Sequence, residues 1–382
     1  MLDRHKYLKK IQQKCHQFPV VALLGPRQCG KTTLAKAYEE LLKAKGQKIH
    51  HFDLEDPDDL NLLQNAKLVF ERLEGLIILD EIQKLPNLFP LIRVMVDTYQ
   101  KRFLILGSAS AELIHQSSET LAGRIDFIEI TPFRLYETNL MDDLWLKGGF
   151  PSSFLAQSEE ESMNWRKAYV RTFLERDIPA LGFDINPSLI RRFWNMLCGY
   201  HGQIFNASEL GNSLDLNHKT VRSYLDILTG TFMIRTLQPW FANIQKRQVK
   251  SPKIYFRDSG IFHTFLEIPS TESLLNHHKL GSSWEGFALE EVIAAYAAEP
   301  QDCFFWSTHA GAEIDLLINS PRGLEGFEFK FSNHPKTTRS ITEAIASLDL
   351  NHVTIIVPSN VRYPLNEKVS VVGLQEFVAQ QS

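Results

Sequence analysis

The chain has 382 residues, with 41 Lys and Arg against 45 Asp and Glu, a formal net charge of -4, and 44% hydrophobic content. That length exceeds what one core usually fills and predicts two or three domains, while the near-balanced charge excludes a globally basic nucleic-acid binder and leaves only local patches for that role. No apolar run approaches the roughly 18 residues of a membrane span, and the N-terminal MLDRHKYLKKIQQKCHQ lacks the apolar core of a secretory signal, so the expected setting is the cytoplasm, without membrane contact.

In chain order, short β-branched runs alternate with helical patterns: PVVALLG, KTTLAKAYEELLKA, KIHHFDLE, GLIILDE, a helix around Leu88 to Gln100, RFLILGS and IDFIEI. Such alternation predicts a parallel α/β sheet, here of five strands, over residues 1–140. Residues 141–190 read as a helical lid or linker with a sharp turn at Gly148 to Pro151. Over 191–262, Leu210 and Leu214, then Val221, Leu225 and Leu228, form an apolar seam broken by a turn, as in a helix-turn-helix. FMIRTLQPWFANIQKRQVKSPKIYF follows as a hairpin-like stretch whose Lys246, Arg247, Lys250 and Lys253 would form a basic wing. Residues 263–382, with a helix around Trp284 to Ala298 and the strand-like FFWSTH, EIDLLI, GFEFKF and HVTIIVP, predict a second α/β unit. Cys15, Cys29, Cys198 and Cys303 lack the spacing of zinc or redox pairs.

Between the first apolar strand and its helix stands Gly25-Pro26-Arg27-Gln28-Cys29-Gly30-Lys31-Thr32, the pattern of a phosphate-binding loop, with Thr33 in the first helical turn. Its glycines let backbone amides face phosphate at a helix N-terminus, Lys31 reaches the outer phosphates, and Thr32 offers a hydroxyl to Mg²⁺. ATP and Mg²⁺ are therefore the expected cofactors. Asp80 ends a buried strand where its carboxylate would meet the same ion, and Glu81 would polarise the attacking water. Ser108, at the end of RFLILGS, would orient that water or sense the γ-phosphate, or serve as a turn serine. Arg124 in LAGRI is the first candidate for an arginine finger, acting within its own subunit or across a homo-oligomer interface. Arg176 in ERDIP is a second, with an ion pair to Glu175 or Asp177 as its plain reading.

GPRQCGKTTL, LDEIQKLP, ILGSAS, LAGRI, the GGFP turn, YVRTFLERDI, and YFRDSG followed by WEGFALEEVI together resemble the prokaryotic AAA-type ATPases that carry a C-terminal restriction-endonuclease-like domain of unknown function. The resemblance implies an AAA/ASCE-type P-loop core, a winged helix and a PD-(D/E)xK nuclease-like end domain. In the last, Glu328 and Lys330 share one face of a strand by period-2 alternation. With Asp315, and Glu285 from the preceding helix, these carboxylates would hold Mg²⁺ while Lys330 positions water against a phosphodiester. The competing reading is an ordinary charge pair on a solvated strand face. Lys219 and Arg222, at the start of the second helix of the pair, would meet DNA together with Lys246 and Arg247 of the wing. Two functions remain open: an ATPase whose nucleotide state controls DNA binding and cleavage, and a nucleotide-gated module that captures a protein partner and carries an inactive nuclease-like domain.

Overall fold

A computed structural model describes residues 2, 4–109, 121–240 and 251–381. The chain divides into two compact units, Met1–Pro132 with Gly230–Phe232, and Phe133–Thr229 with Met233–Ser382.

In the first unit, five parallel strands, β1 (Val20–Leu24), β2 (Ile49–Asp53), β3 (Leu76–Asp80), β4 (Arg102–Gly107) and β5 (Ile125–Glu129), pair in the order β2-β3-β4-β1-β5. Every residue of β1 and β3 is buried, as expected of Val-, Ile- and Leu-rich strands covered on both faces. β4 stands between the phosphate-loop strand β1 and the acidic strand β3, the ASCE arrangement that the family resemblance implied. Because all five strands run the same way, their C-terminal ends at Leu24, Asp53, Asp80, Gly107 and Glu129 lie along one edge. Open parallel sheets bind ligands at that edge. The polar N-terminal segment is a helix, His5–Gln17, whose Tyr7 and Ile11, one turn apart, enter the core with Leu23, Leu34 and Ile128.

The second unit is built on a nine-stranded sheet in the order β13-β14-β12-β11-β10-β9-β7-β8-β6. Its strands are β6 (Gln203–Ile204), β7 (Ile234–Pro239), β8 (Lys253–Phe256), β9 (Cys303–Ser307), β10 (Glu313–Ser320), β11 (Gly323–Phe329), β12 (Val353–Val357), β13 (Arg362–Asn366) and β14 (Val369–Gly373). The helices Ala207–Leu214 and His218–Gly230 bury the predicted seam of Leu210, Leu214, Val221, Leu225 and Leu228 against Phe193 and Trp194 of helix Pro187–Leu197. Asp215 turns the chain between them at φ 56°, and Asn217 accepts the amide of Thr220 at 2.9 Å to start the second helix. Residues read as a separate lid, including Phe150, Tyr169 and Phe173, share this same core, so they form part of the second unit. The reason is aromatic: Phe173 meets Trp194 edge-on at 5.4 Å between ring centroids.

An ion network runs through the interior of this unit. Arg134 reaches Glu290 at 3.1 Å and Glu291 at 3.4 Å on helix Leu280–Tyr296. Glu290 is also bonded by Arg235 of β7 and lies 3.8 Å from Arg257, while Glu291 accepts the amide of Leu135 at 2.7 Å. Burial alone would raise the pKa of Glu290, but Arg235, Arg257 and Arg134 together hold it at about 2.

Candidate functional site

The phosphate loop leaves β1 and enters helix Lys31–Lys43 through Gln28 at φ 62° and Gly30 at φ 98°, a curl that turns backbone amides inward. A side chain at Gly25 would strike the carbonyl oxygen of Ile130, so only glycine fits there. Lys31 is 5% exposed, and its ammonium donates to the carbonyl oxygens of Gly25 at 3.0 Å and Pro26 at 2.9 Å. A cation parked on two weak neutral acceptors beside a helix N-terminus fits the stronger acceptors of a phosphate chain.

From β3, two positions along the sheet from β1, Asp80 Oδ2 accepts the Thr32 hydroxyl at 2.7 Å. A hydroxyl and a carboxylate so placed are hard oxygen donors, and they fit Mg²⁺ beside the phosphates. Burial raises the Asp80 pKa above the usual carboxylate range, and the Thr32 bond works against that rise. Glu81 takes the left-handed conformation at φ 57°, and its carboxylate accepts from Ser108 Oγ at 3.0 and 3.2 Å and from the side-chain Nε2 of Gln83. Ser108 thus bonds the candidate base rather than standing as an isolated turn serine.

Of the other loop residues, Pro26 is buried, Thr33 and Gln28 face solvent, and Arg27 reaches Glu55 at 3.1 Å. Cys29 is fully buried, and its thiol donates to Ile130 O at 3.4 Å. Burial pushes that thiol up, away from reactivity. Arg4 binds Cys29 O at 3.2 Å and Thr131 O at 2.9 Å, fastening the loop to the strand end beyond β5. Sequence reasoning missed Arg4; the Tyr7 and Ile11 spacing was the available sign of a docked helix there.

Arg124 does not reach this site within its own chain. It immediately precedes β5, where Ile125 pairs with Val20 at the start of β1, so it lies at the sheet edge opposite the phosphate loop. Its guanidinium is held there by Asp97 at 2.6 and 3.0 Å. Arg176 is exposed in the second unit, on the π-helical segment Phe173–Asp177.

The C-terminal carboxylates do come together, and they are buried rather than on a solvated face: Asp315 and Glu328 are 6% and 3% exposed. Lys330 Nζ lies 2.8 Å from Glu328 and 3.8 Å from Asp315, and Asp315 accepts the Phe329 amide at 3.1 Å. Glu285 accepts the Tyr255 hydroxyl at 2.7 Å. Lys253, read from sequence as a wing residue, instead enters the interior from β8 and meets Glu313 at 2.5 Å, Asp315 at 3.6 Å and Glu285 at 3.7 Å. Burial, then Asp315, pushes Glu285 up to about 7 and Glu328 up to about 8. For Lys253 burial works against the charge, but Tyr255 and the three carboxylates raise its pKa well above the ordinary lysine value. Among the described residues no three His, Cys, Asp or Glu side chains are grouped to hold a metal ion, and lysine ammoniums stand beside the carboxylates expected to take Mg²⁺.

Lys219 and Arg222 are exposed one turn apart on helix His218–Gly230, beside Ser223. Lys246, Arg247 and Lys250 lie outside the described residues. No helix among the described residues is long and apolar enough to cross a membrane.

Two uncharacterised proteins, from Mycobacterium bovis and Mycobacterium tuberculosis, are each 42% identical to this chain over 386 residues, spanning 100% of it and 86% of their own length. The chain belongs to their family. Its residues 17–139 match an AAA domain, so an AAA-type core holds the phosphate loop, Asp80, Glu81 and Ser108. Residues 138–272 match a domain of unknown function (DUF8612), and 280–377 match another (DUF4143). The buried charge cluster straddles those two, since Lys253 and Tyr255 come from the former and Glu285, Glu313, Asp315, Glu328 and Lys330 from the latter. An uncharacterised protein of Haemophilus influenzae is 21% identical over 325 residues, covering 77% of this chain and 78% of its own. Among solved structures, the Walker-type ATPase of Pyrococcus abyssi aligns with a TM-score of 0.45 at 14% identity, over 70% of this chain and 96% of its own.

Proposed function

We propose that this AAA-type protein hydrolyses ATP and that its nucleotide state governs DNA contact by the second unit. The observation that carries the first part is the Thr32–Asp80 hydrogen bond with Glu81 held next to it by Ser108. Bound Mg²⁺ and ATP would supply a polarised γ-phosphoryl group. Around it, Lys31 would exchange two carbonyl partners for phosphate oxygens, Thr32 and Asp80 would hold the metal, and Glu81 would take the proton of the attacking water.

Supporting the second part is the element order of residues 187–256. Helix Pro187–Leu197, β6, helices Ala207–Leu214 and His218–Gly230, then β7 and β8, with β8 paired between β6 and β7, is the order of a winged helix. Lys219 and Arg222 would then face phosphate or bases from the second helix of the pair. ATP turnover and duplex DNA binding measured together at about 50 and 200 mM salt test this, since each phosphate contact steepens the salt dependence. Replacing both Lys219 and Arg222 by Ala is expected to weaken binding and flatten the log–log salt slope by about 1 per residue. No DNA binding at the lower salt, with ATP turnover indifferent to DNA, would refute the coupling.

One observation favours the second reading for the end domain, a nuclease-like fold that does not cleave: its carboxylates are already engaged by Lys253 and Lys330. On that reading the protein is a nucleotide-gated interaction module, and a partner captured only in the presence of ATP is its mark.

A further inference from the structure

The buried cluster at the junction of β8, β10, β11 and helix Leu280–Tyr296 is where a nuclease-like fold would hold a divalent cation, and the chain fills it with its own cations. Lys253 is the first residue of β8, and its backbone is tied on both sides, paired with Ile204 of β6 and Leu237 of β7. It is therefore placed by two ladders rather than by its side-chain torsions alone. Its side chain is 2% exposed, and its ammonium lies within 4 Å of Glu313, Asp315 and Glu285 together. Lys330 fills the other side, between Asp315 and Glu328. A divalent ion coordinated at about 2.0–2.6 Å by Glu285 and Asp315 would need the space that the Lys253 ammonium occupies, and would meet it as a like charge.

Resting on the reading of Glu285, Asp315, Glu328 and Lys330 as a nuclease-like constellation, we propose that Lys253 is the resident counter-cation of this site and closes it to divalent metal. The wild-type end domain then takes no Mg²⁺, and loss of the Lys253 charge converts the cluster into a divalent-cation site. Tyr255, donating to Glu285 from the same face of β8, helps to keep that carboxylate turned toward the lysine.

The test is uptake of Mn²⁺ by nucleotide-free full-length chain, read as loss of the free-ion signal in electron paramagnetic resonance. All samples carry Asp80→Asn, so that the ATP site does not contribute. The chain with Lys253 intact is expected to show no uptake that depends on Asp315. Lys253→Met is expected to gain one Mn²⁺ per chain, bound at least tenfold tighter than any residual Mn²⁺ on the chain with Lys253 intact, and to lose it when Asp315→Asn is added. Because Lys253→Met leaves buried carboxylates unbalanced, Lys253→Met with Glu313→Gln keeps the charge count closer to the original and is expected to gain the same ion. Asp315-dependent uptake with Lys253 in place overturns the proposal, as does a folded Lys253→Met chain that gains nothing. A gained ion that ignores Asp315→Asn would instead sink the constellation reading itself. Mg²⁺-dependent nicking of supercoiled DNA by the wild type, lost in Lys330→Ala, would contradict closure directly.

Discussion

If this chain hydrolyses ATP as proposed, Glu81→Gln is expected to lower turnover by about two to four orders of magnitude, the range that a positioned general base supplies, with little change in ATP affinity. The split follows from geometry. The Glu81 carboxylate is bonded to Ser108 and Gln83, while Lys31 and Thr32 have their own partners, so its loss is expected to leave Lys31 and Thr32 in place for nucleotide. Glutamine keeps the size and one acceptor, and so retains the Ser108 bond, but it cannot take a proton from water. Phosphate release under saturating ATP, alongside equilibrium binding of a fluorescent ATP analogue, separates the two effects. A kcat within about threefold of wild type would remove Glu81 from the chemistry.

The second large effect is on stability. Glu290→Ala should cost about 3–5 kcal/mol, the usual consequence of removing one partner from a buried charge pair. Glu290 is 2% exposed and is the carboxylate that Arg134, Arg235 and Arg257 share, so its removal takes an ion-pair partner from three guanidiniums at once. All six tryptophans, the first being Trp145, lie beyond Pro132, so tryptophan fluorescence in a denaturant titration follows the second unit alone. A fall in its midpoint with unchanged slope is the expected result. A change below about 1 kcal/mol would mean that the arginines find other acceptors.

The phosphate loop was legible because everything that defines it is local: an apolar strand, a glycine-bearing turn and a helix start, within 13 residues from Val20 to Thr32. All five strands of the first sheet were readable for the same reason, whereas their order depends on pairing between distant segments, which alternation does not encode. Arg124 shows how that matters. A residue just before a parallel strand falls at the strand's N-terminal edge, while nucleotide sits at the C-terminal edge, and the ion pair with Asp97 follows from that position.

In the end domain, the alternation of Glu328 and Lys330 correctly predicted one shared face, and Asp315 joined them across the β10–β11 pairing. What sequence did not reveal was Lys253. A run of Lys, Arg and Gln before it made the whole stretch look like a basic wing, yet Lys253 and Tyr255 are the same-face residues of a strand otherwise made of Ile and Phe. A lysine in so short and apolar a strand is a sign of a buried partner, and here that partner comes from β10 and the helix bearing Glu285, dozens of residues downstream. The β13–β14 hairpin was also unread, since Pro364 and the exposed Arg362 and Asn366 blur its alternation.

The most direct test of the account is steady-state phosphate release from Mg²⁺-ATP by the purified wild-type chain and by Lys31→Ala, with and without duplex DNA. Turnover by the wild type that vanishes on chelation of Mg²⁺ and in Lys31→Ala is the predicted result. Turnover that survives in Lys31→Ala, or no turnover by a folded wild-type chain under any of these conditions, would contradict ATP hydrolysis at this site.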